Sequence, residues 1–155
     1  MTRSRIKRKV YSAGPKATSG HPLVDWVFRQ FMSVLKDYRV RVSRMKRLVD
    51  PTDPRRRLLQ GLMDPEVHPS GNWVQILINP ARTLHRTRDE ELDTLIHELA
   101  HVVFPKARER DVARIEKLLA KSLSRAQRSY LKKFLPRHQV KKYPRLWVPG
   151  RIATA

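Results

Sequence analysis

The residues best suited to chemistry are two histidines four apart, His97 and His101, with Glu98 beside the first. On a helix, side chains at i and i+4 lie one above the other, so both imidazoles can reach one ion. Zinc makes a nearby water acidic enough to give up a proton near neutral pH. A carboxylate offset around the helix, as Glu98 is, takes that proton while the water attacks a carbonyl. Catalytic zinc also needs a third protein ligand and one open position. No histidine follows His101 before His138, so the third ligand is expected to be a carboxylate. Glu109 is favoured, because it falls in the first turn of the next helix, where a tight connection at Pro105 folds it back toward His101. Asp111 and Glu116 are the alternatives. A glutamate in a first turn also complements the helix dipole without any metal.

These residues need a helix to carry them, and the pattern supplies one. Thr87 with Glu90 three positions on is a capping-box pair, and Asp89, Glu90 and Glu91 suit the positive end of the helix dipole. Leu92, Leu95, Ile96, Leu99 and Val103 form an apolar stripe, and Pro105 ends the run. Relative to Leu92, the two histidines sit about 140° and 180° around the helix, facing away from the core side. The other elements follow from the same spacing rules. A helix starts at Pro22 with Val24, Val27, Phe28, Phe31 and Leu35 inward. Tyr38 to Val42 alternates like a strand, Leu58 to Met63 suggests a second, and Trp73 to Ile78, ended by Asn79-Pro80, is the strongest. Val112, Ile115, Leu118, Leu119 and Leu123 mark the helix after Pro105, and a further helical stretch covers Arg125 to Leu135. The expected class is α+β: an N-terminal helix, a mixed or antiparallel sheet of about three strands, the histidine-bearing helix and further C-terminal helices.

Composition sets the surroundings. The 155 residues include 34 Lys and Arg against 14 Asp and Glu, a formal net charge of +20. Residues 1–60 carry 16 basic and 4 acidic side chains, residues 61–104 carry 3 and 7, and residues 105–155 carry 15 and 3. The stretches are therefore +12, −4 and +12. Such density attracts polyanions, so sequence-indifferent, salt-sensitive contact with nucleic acid is expected. The candidate contacts are Arg3, Arg5, Lys7, Arg8 and Lys9 in a flexible basic arm (1–20), Arg55, Arg56 and Arg57 in a loop, and Lys141 and Lys142 in a basic extended tail (136–155). The folded domain is expected over 21–135. No cysteine is present, which excludes disulfides, thiol catalysis and Cys-ligated zinc and suits a reducing compartment. No apolar run is long enough to span a bilayer. No phosphate-binding glycine loop, Ser-His-Asp order or base-reading motif occurs.

From Leu92 through His97-Glu98-Leu99-Ala100-His101 to Phe104-Pro105 and Glu109, preceded by the strand ending Ile76-Leu77-Ile78-Asn79-Pro80, the chain resembles the small zincin metallopeptidases. The resemblance is to the gluzincin-like set, including SprT-like and ImmA/IrrE-type proteins and small predicted metallopeptidases of bacteria and their phages. It spans about Tyr38 to Leu123 and is most specific around the H-E-x-x-H helix. It implies a zinc peptidase in the cytoplasm of a bacterial or phage-infected cell, or associated with a virion, acting on protein or peptide. It also implies His97 and His101 as ligands, Glu98 as general base, and Trp73–Ile78 as the edge strand on which substrate adds. The metzincin continuation is absent, since Phe104 and Ala107 stand at its Gly and third His positions. No third His follows soon after His101, so the crosslink-repair role of SprT-like proteins does not carry over. The competing class is a non-catalytic nucleic-acid-binding or virion-associated protein with a structural metal site. Glu98 separates the two, since a structural site needs only ligands.

The remaining candidates are weaker. Tyr130, Tyr143, His85 and Arg82 could each stabilise an oxyanion. His68 and His85 are expected on the surface; Trp26, Trp73 and Trp147 could stack on bases, Trp147 more readily than the other two, which are expected in the core.

Overall fold

Pro22 lacks an N–H where a first helical turn needs none, and behind it α1 (Pro22–Lys36) buries Val24, Val27, Phe28, Phe31, Met32 and Leu35. The computed structural model describes residues 18–36, 40–49, 53–64 and 74–137. Within them the chain is α+β, with four helices and one small mixed sheet. Trp26 departs from the core expectation. It lies about 180° from the buried stripe of α1, is 42% exposed, and meets only the Phe104 ring at 6.2 Å among its aromatic contacts. Ser19, placed in the flexible arm by composition, is tied down: its N–H and hydroxyl both donate to Asp25 Oδ1 at 2.8 Å. Gln127 donates to the same oxygen at 2.8 Å, joining the start of α1 to the last helix.

The strands are β1 (Val40–Arg44), β2 (Gly61–Asp64) and β3 (Val74–Ile78), in the order β1-β3-β2. β1 runs parallel to β3, with Val40 opposite Val74, and β2 runs antiparallel to it, with Gly61 opposite Ile78. This overturns the expectation that Trp73–Ile78 is an edge. β3 is paired on both sides, and its run of Ile76, Leu77 and Ile78 has no exposed surface, as a central strand demands. Among the described residues β1 and β2 are the two edges, and β2 is the one packed against the histidine-bearing helix.

Three helices follow. α2 (Arg88–Val103) starts at Thr87, whose hydroxyl accepts from the Glu90 N–H at 3.3 Å. Glu90 itself reaches back to the Arg86 N–H, not to Thr87, so the reciprocal half of the capping box is absent. The helix closes where the Phe104 N–H bonds to the Ala100 carbonyl, just before Pro105. α3 (Glu109–Ser122) and α4 (Arg125–Lys132) complete the fold. α4 is introduced by a full capping box, in which Gln127 N–H donates to Ser124 Oγ and the Ser124 N–H donates to Gln127 Oε1. Leu92, Leu95, Ile96 and Leu99 of α2 have no exposed surface. Each buried leucine of this kind contributes about 2 kcal/mol, so the core face of α2 anchors the helix and leaves its opposite side free for polar work. No helix among the described residues is long and apolar enough to cross a membrane.

Candidate metal centre

With its apolar stripe facing the core, α2 turns His97 and His101 toward α3, their rings 5.0 Å apart and edge-on. Pro105 and Lys106 turn the chain, and Glu109 opens α3 in the expected first-turn position. His97 Nε2 donates to Glu109 Oε1 at 2.6 Å, and His101 Nε2 lies 3.0 Å from Glu109 Oε2. One carboxylate thus faces the same nitrogen of both rings. His97, His101 and Glu109 are the one group of three or more metal-capable side chains among the described residues, with ligand atoms all within 4.8 Å of one another. Two imidazole nitrogens and one carboxylate oxygen suit zinc. Glu109 is 70% exposed, so an ion held by these three side chains would lie open to solvent.

Of the alternatives for the third ligand, Asp111 pairs with Arg108 at 3.5 Å and points elsewhere. Glu116 takes a different role: two turns after Glu109 on α3, it accepts from His97 Nδ1 at 2.7 Å. A carboxylate on the far nitrogen fixes the ring and leaves Nε2 for a metal. Between two carboxylates, His97 is doubly protonated in the metal-free protein and held up at about 9. The Glu116 hydrogen bond is the main cause, opposed by burial and aided by the charges of Glu98, Glu116 and Glu109.

Glu98 is 8% exposed and sits beside the ligands without being one of them. Burial pushes its carboxyl up to about 7, against the pull of the neighbouring His97 charge. A carboxyl near neutrality exchanges a proton most readily at neutral pH. Its place is set by β2: a Cβ on Gly61 would lie 3.2 Å from Glu98 Oε1, 3.3 Å from Glu98 Cγ and 2.5 Å from Thr94 Cγ2. Only the absence of that atom lets the strand lie this close to the helix. Two adjoining hollows, of 380 and 320 Å³, share Leu59, Gly61, His97, Glu98 and Glu109 as lining. The edge strand therefore borders the histidine cluster directly.

Other expectations resolve as follows. His85 is not on the surface but 4% exposed. Its Nδ1 donates to the Asn79 carbonyl at 2.6 Å, and its Nε2 accepts from the Thr94 hydroxyl at 2.7 Å. Both nitrogens are used, so it offers nothing to an oxyanion; nor do Arg82 and Tyr130 line the hollows. Arg55, Arg56 and Arg57 are exposed, but Arg57 is paired with Asp53 at 3.1 Å. Arg3, Arg5, Lys7, Arg8, Lys9, Lys141 and Lys142 lie outside the described residues, as do His68, Trp73, Tyr143 and Trp147. Gly61 and Thr94 are the site residues that sequence reasoning missed. A lone glycine at the start of a strand was the available signal.

Comparison with protein-family models, with curated proteins and with solved structures finds no match.

Proposed function

We propose that this chain is a zincin-like, zinc-dependent metallopeptidase, with terminal basic segments that bring it to nucleic acid. One observation carries the reading: His97 Nε2 and His101 Nε2 converge on the Glu109 carboxylate, while the buried Glu98 lies beside them in a hollow bordered by β2, an edge strand among the described residues. His97, His101 and Glu109 would hold the ion, and Glu116 would keep the His97 ring turned with Nε2 inward. When bound, zinc supplies Lewis acidity toward a carbonyl and lowers the pKa of water toward neutrality. Glu98 accepts the proton of the attacking water and returns it to the leaving amine nitrogen. β2 would orient an extended substrate by main-chain hydrogen bonds along the edge that no other described strand pairs with, the role first expected of β3.

Glu98→Gln separates this reading from a structural metal site. It keeps side-chain size but cannot accept a proton. Zinc content should stay near that of the unaltered protein while peptide cleavage falls at least ~10²-fold. Cleavage within the chain's own residues 1–20 or 136–155 is the first activity to assay, and nucleic-acid-bound protein the second. Zinc-loaded protein that cleaves nothing on a broad peptide panel, with Glu98→Gln indistinguishable from it, would leave the structural-metal reading standing.

A further inference from the structure

α3 has two faces of opposite sign. At 100° per residue, Glu109, Val112, Glu116 and Leu119 fall on the side turned to α2, where the glutamates meet His97 and His101 and the two aliphatic side chains are buried. Arg110, Arg114, Lys117 and Lys121 recur at i, i+4, i+7 and i+11, within roughly 60° of arc on the opposite side. All four are exposed, and none makes an ion pair or side-chain hydrogen bond with another described residue. The acids of α3 are already engaged, Glu109 and Glu116 with the histidines and Asp111 with Arg108. The next helix shows the contrast: there Arg128 and Lys132 are neutralised by Asp89 and Asp93. Like charges at three- and four-residue spacing repel and weaken a helix. Among the described residues no acidic side chain offsets that cost, and the helix dipole eases it only for Lys121 in the last turn.

We propose that the outer face of α3 is a binding site for the phosphodiester backbone of nucleic acid, engaged without reading sequence. The stripe runs about 16 Å, a length over which one DNA strand presents about five phosphates. An anionic membrane fits less well. Interfacial helices need an exposed apolar face, whereas the exposed large apolar residues, Leu23, Trp26 and Leu58, all lie off α3. The site lies within the folded domain, apart from the terminal segments, and does not rest on the hydrolytic reading.

The test is a salt titration of the full chain binding a fluorescent, arbitrary-sequence DNA duplex of about 30 base pairs. It is run on the unaltered protein and on R110Q/R114Q/K117Q/K121Q. A control, K46Q/R47Q/R82Q/R86Q, removes the same charge from other exposed positions that are not among the candidate contacts. The stripe variant should lower the slope of log affinity against log salt by about 3, and weaken binding at about 0.1 M salt at least ~30-fold. The control should change the slope by less than about 1. Chelator should leave all three slopes unchanged, which keeps this result separate from that on hydrolysis. Circular dichroism checks the fold; should the quadruple variant be unfolded, R114Q/K117Q should still lower the slope by about 2. Equal losses in stripe and control variants, or a flat salt dependence in the unaltered protein, would overturn the site. So would stripe-dependent binding to phosphatidylserine vesicles in preference to duplex.

Discussion

His97 and His85 lie twelve residues apart, each reaching α2 from one side or carried on it, and their surroundings differ in kind. His85 is sealed between a carbonyl that only accepts and a hydroxyl that donates, and both its nitrogens serve the connection between β3 and α2. His97 faces a carboxylate at each nitrogen, and the one at Nε2 is shared with His101. Neutral partners complete a histidine, whereas two anions converging on it leave negative charge for a cation to answer. The contrast supports the proposed ligand role of His97 and gives His85 a structural one, although both are histidines.

The sharpest way to break this comparison is to remove one histidine from each group. His101→Ala should drop zinc from about one ion per chain to near zero. His85→Gln should keep the ion and lower unfolding stability by about 1–3 kcal/mol through unpaired buried groups. Elemental analysis and denaturant titration read the two, and equal zinc in His101→Ala and the unaltered protein would erase the distinction. A smaller effect tests the outer carboxylate: Glu116→Ala should weaken zinc about 10–100-fold in a chelator competition, with Glu116→Gln at the low end.

The smallest effect is on pH dependence. Metal-free His97 is raised from 6.5 to about 9, so its contribution to stability is fully present below 6.5 and is lost as pH rises through about 9. The thermal midpoint of metal-free protein should decline across that window, and Glu116→Gln should flatten the decline. Zinc should reverse the slope, because it binds the deprotonated ring. His85→Gln should leave the slope of the metal-free protein as it is, and an unaltered slope in Glu116→Gln would remove the Glu116 hydrogen bond from the account.

Much of this was legible in the residues. The helix bearing His97 and His101, the first-turn position of Glu109 and the α+β class all follow from local periodicity, capping residues and proline, which act over one or two turns. What was illegible is what depends on neighbours distant in sequence. That β3 lies between β1 and β2 is decided by strand pairing, and the apolar run Ile76–Ile78 hinted at it only by lacking alternation. Glu116 was separable from Glu109 only once α3 had been laid against α2, since both fall on the same helix face. His85, correctly placed in a loop, looked like a surface residue because burial comes from the elements that close over a loop.

The missing Cβ at Gly61 has a consequence for how this sequence can change. Any side chain there would collide with Thr94 Cγ2, so position 61 can enlarge only if position 94 shrinks. Serine at position 94 removes the clashing methyl and keeps the hydroxyl that donates to His85, whereas alanine loses both. Positions 61, 85 and 94, far apart in the chain, thus meet through one side chain, with Glu98 beside them. A side chain at position 61 should therefore be tolerated better with serine than with alanine at position 94.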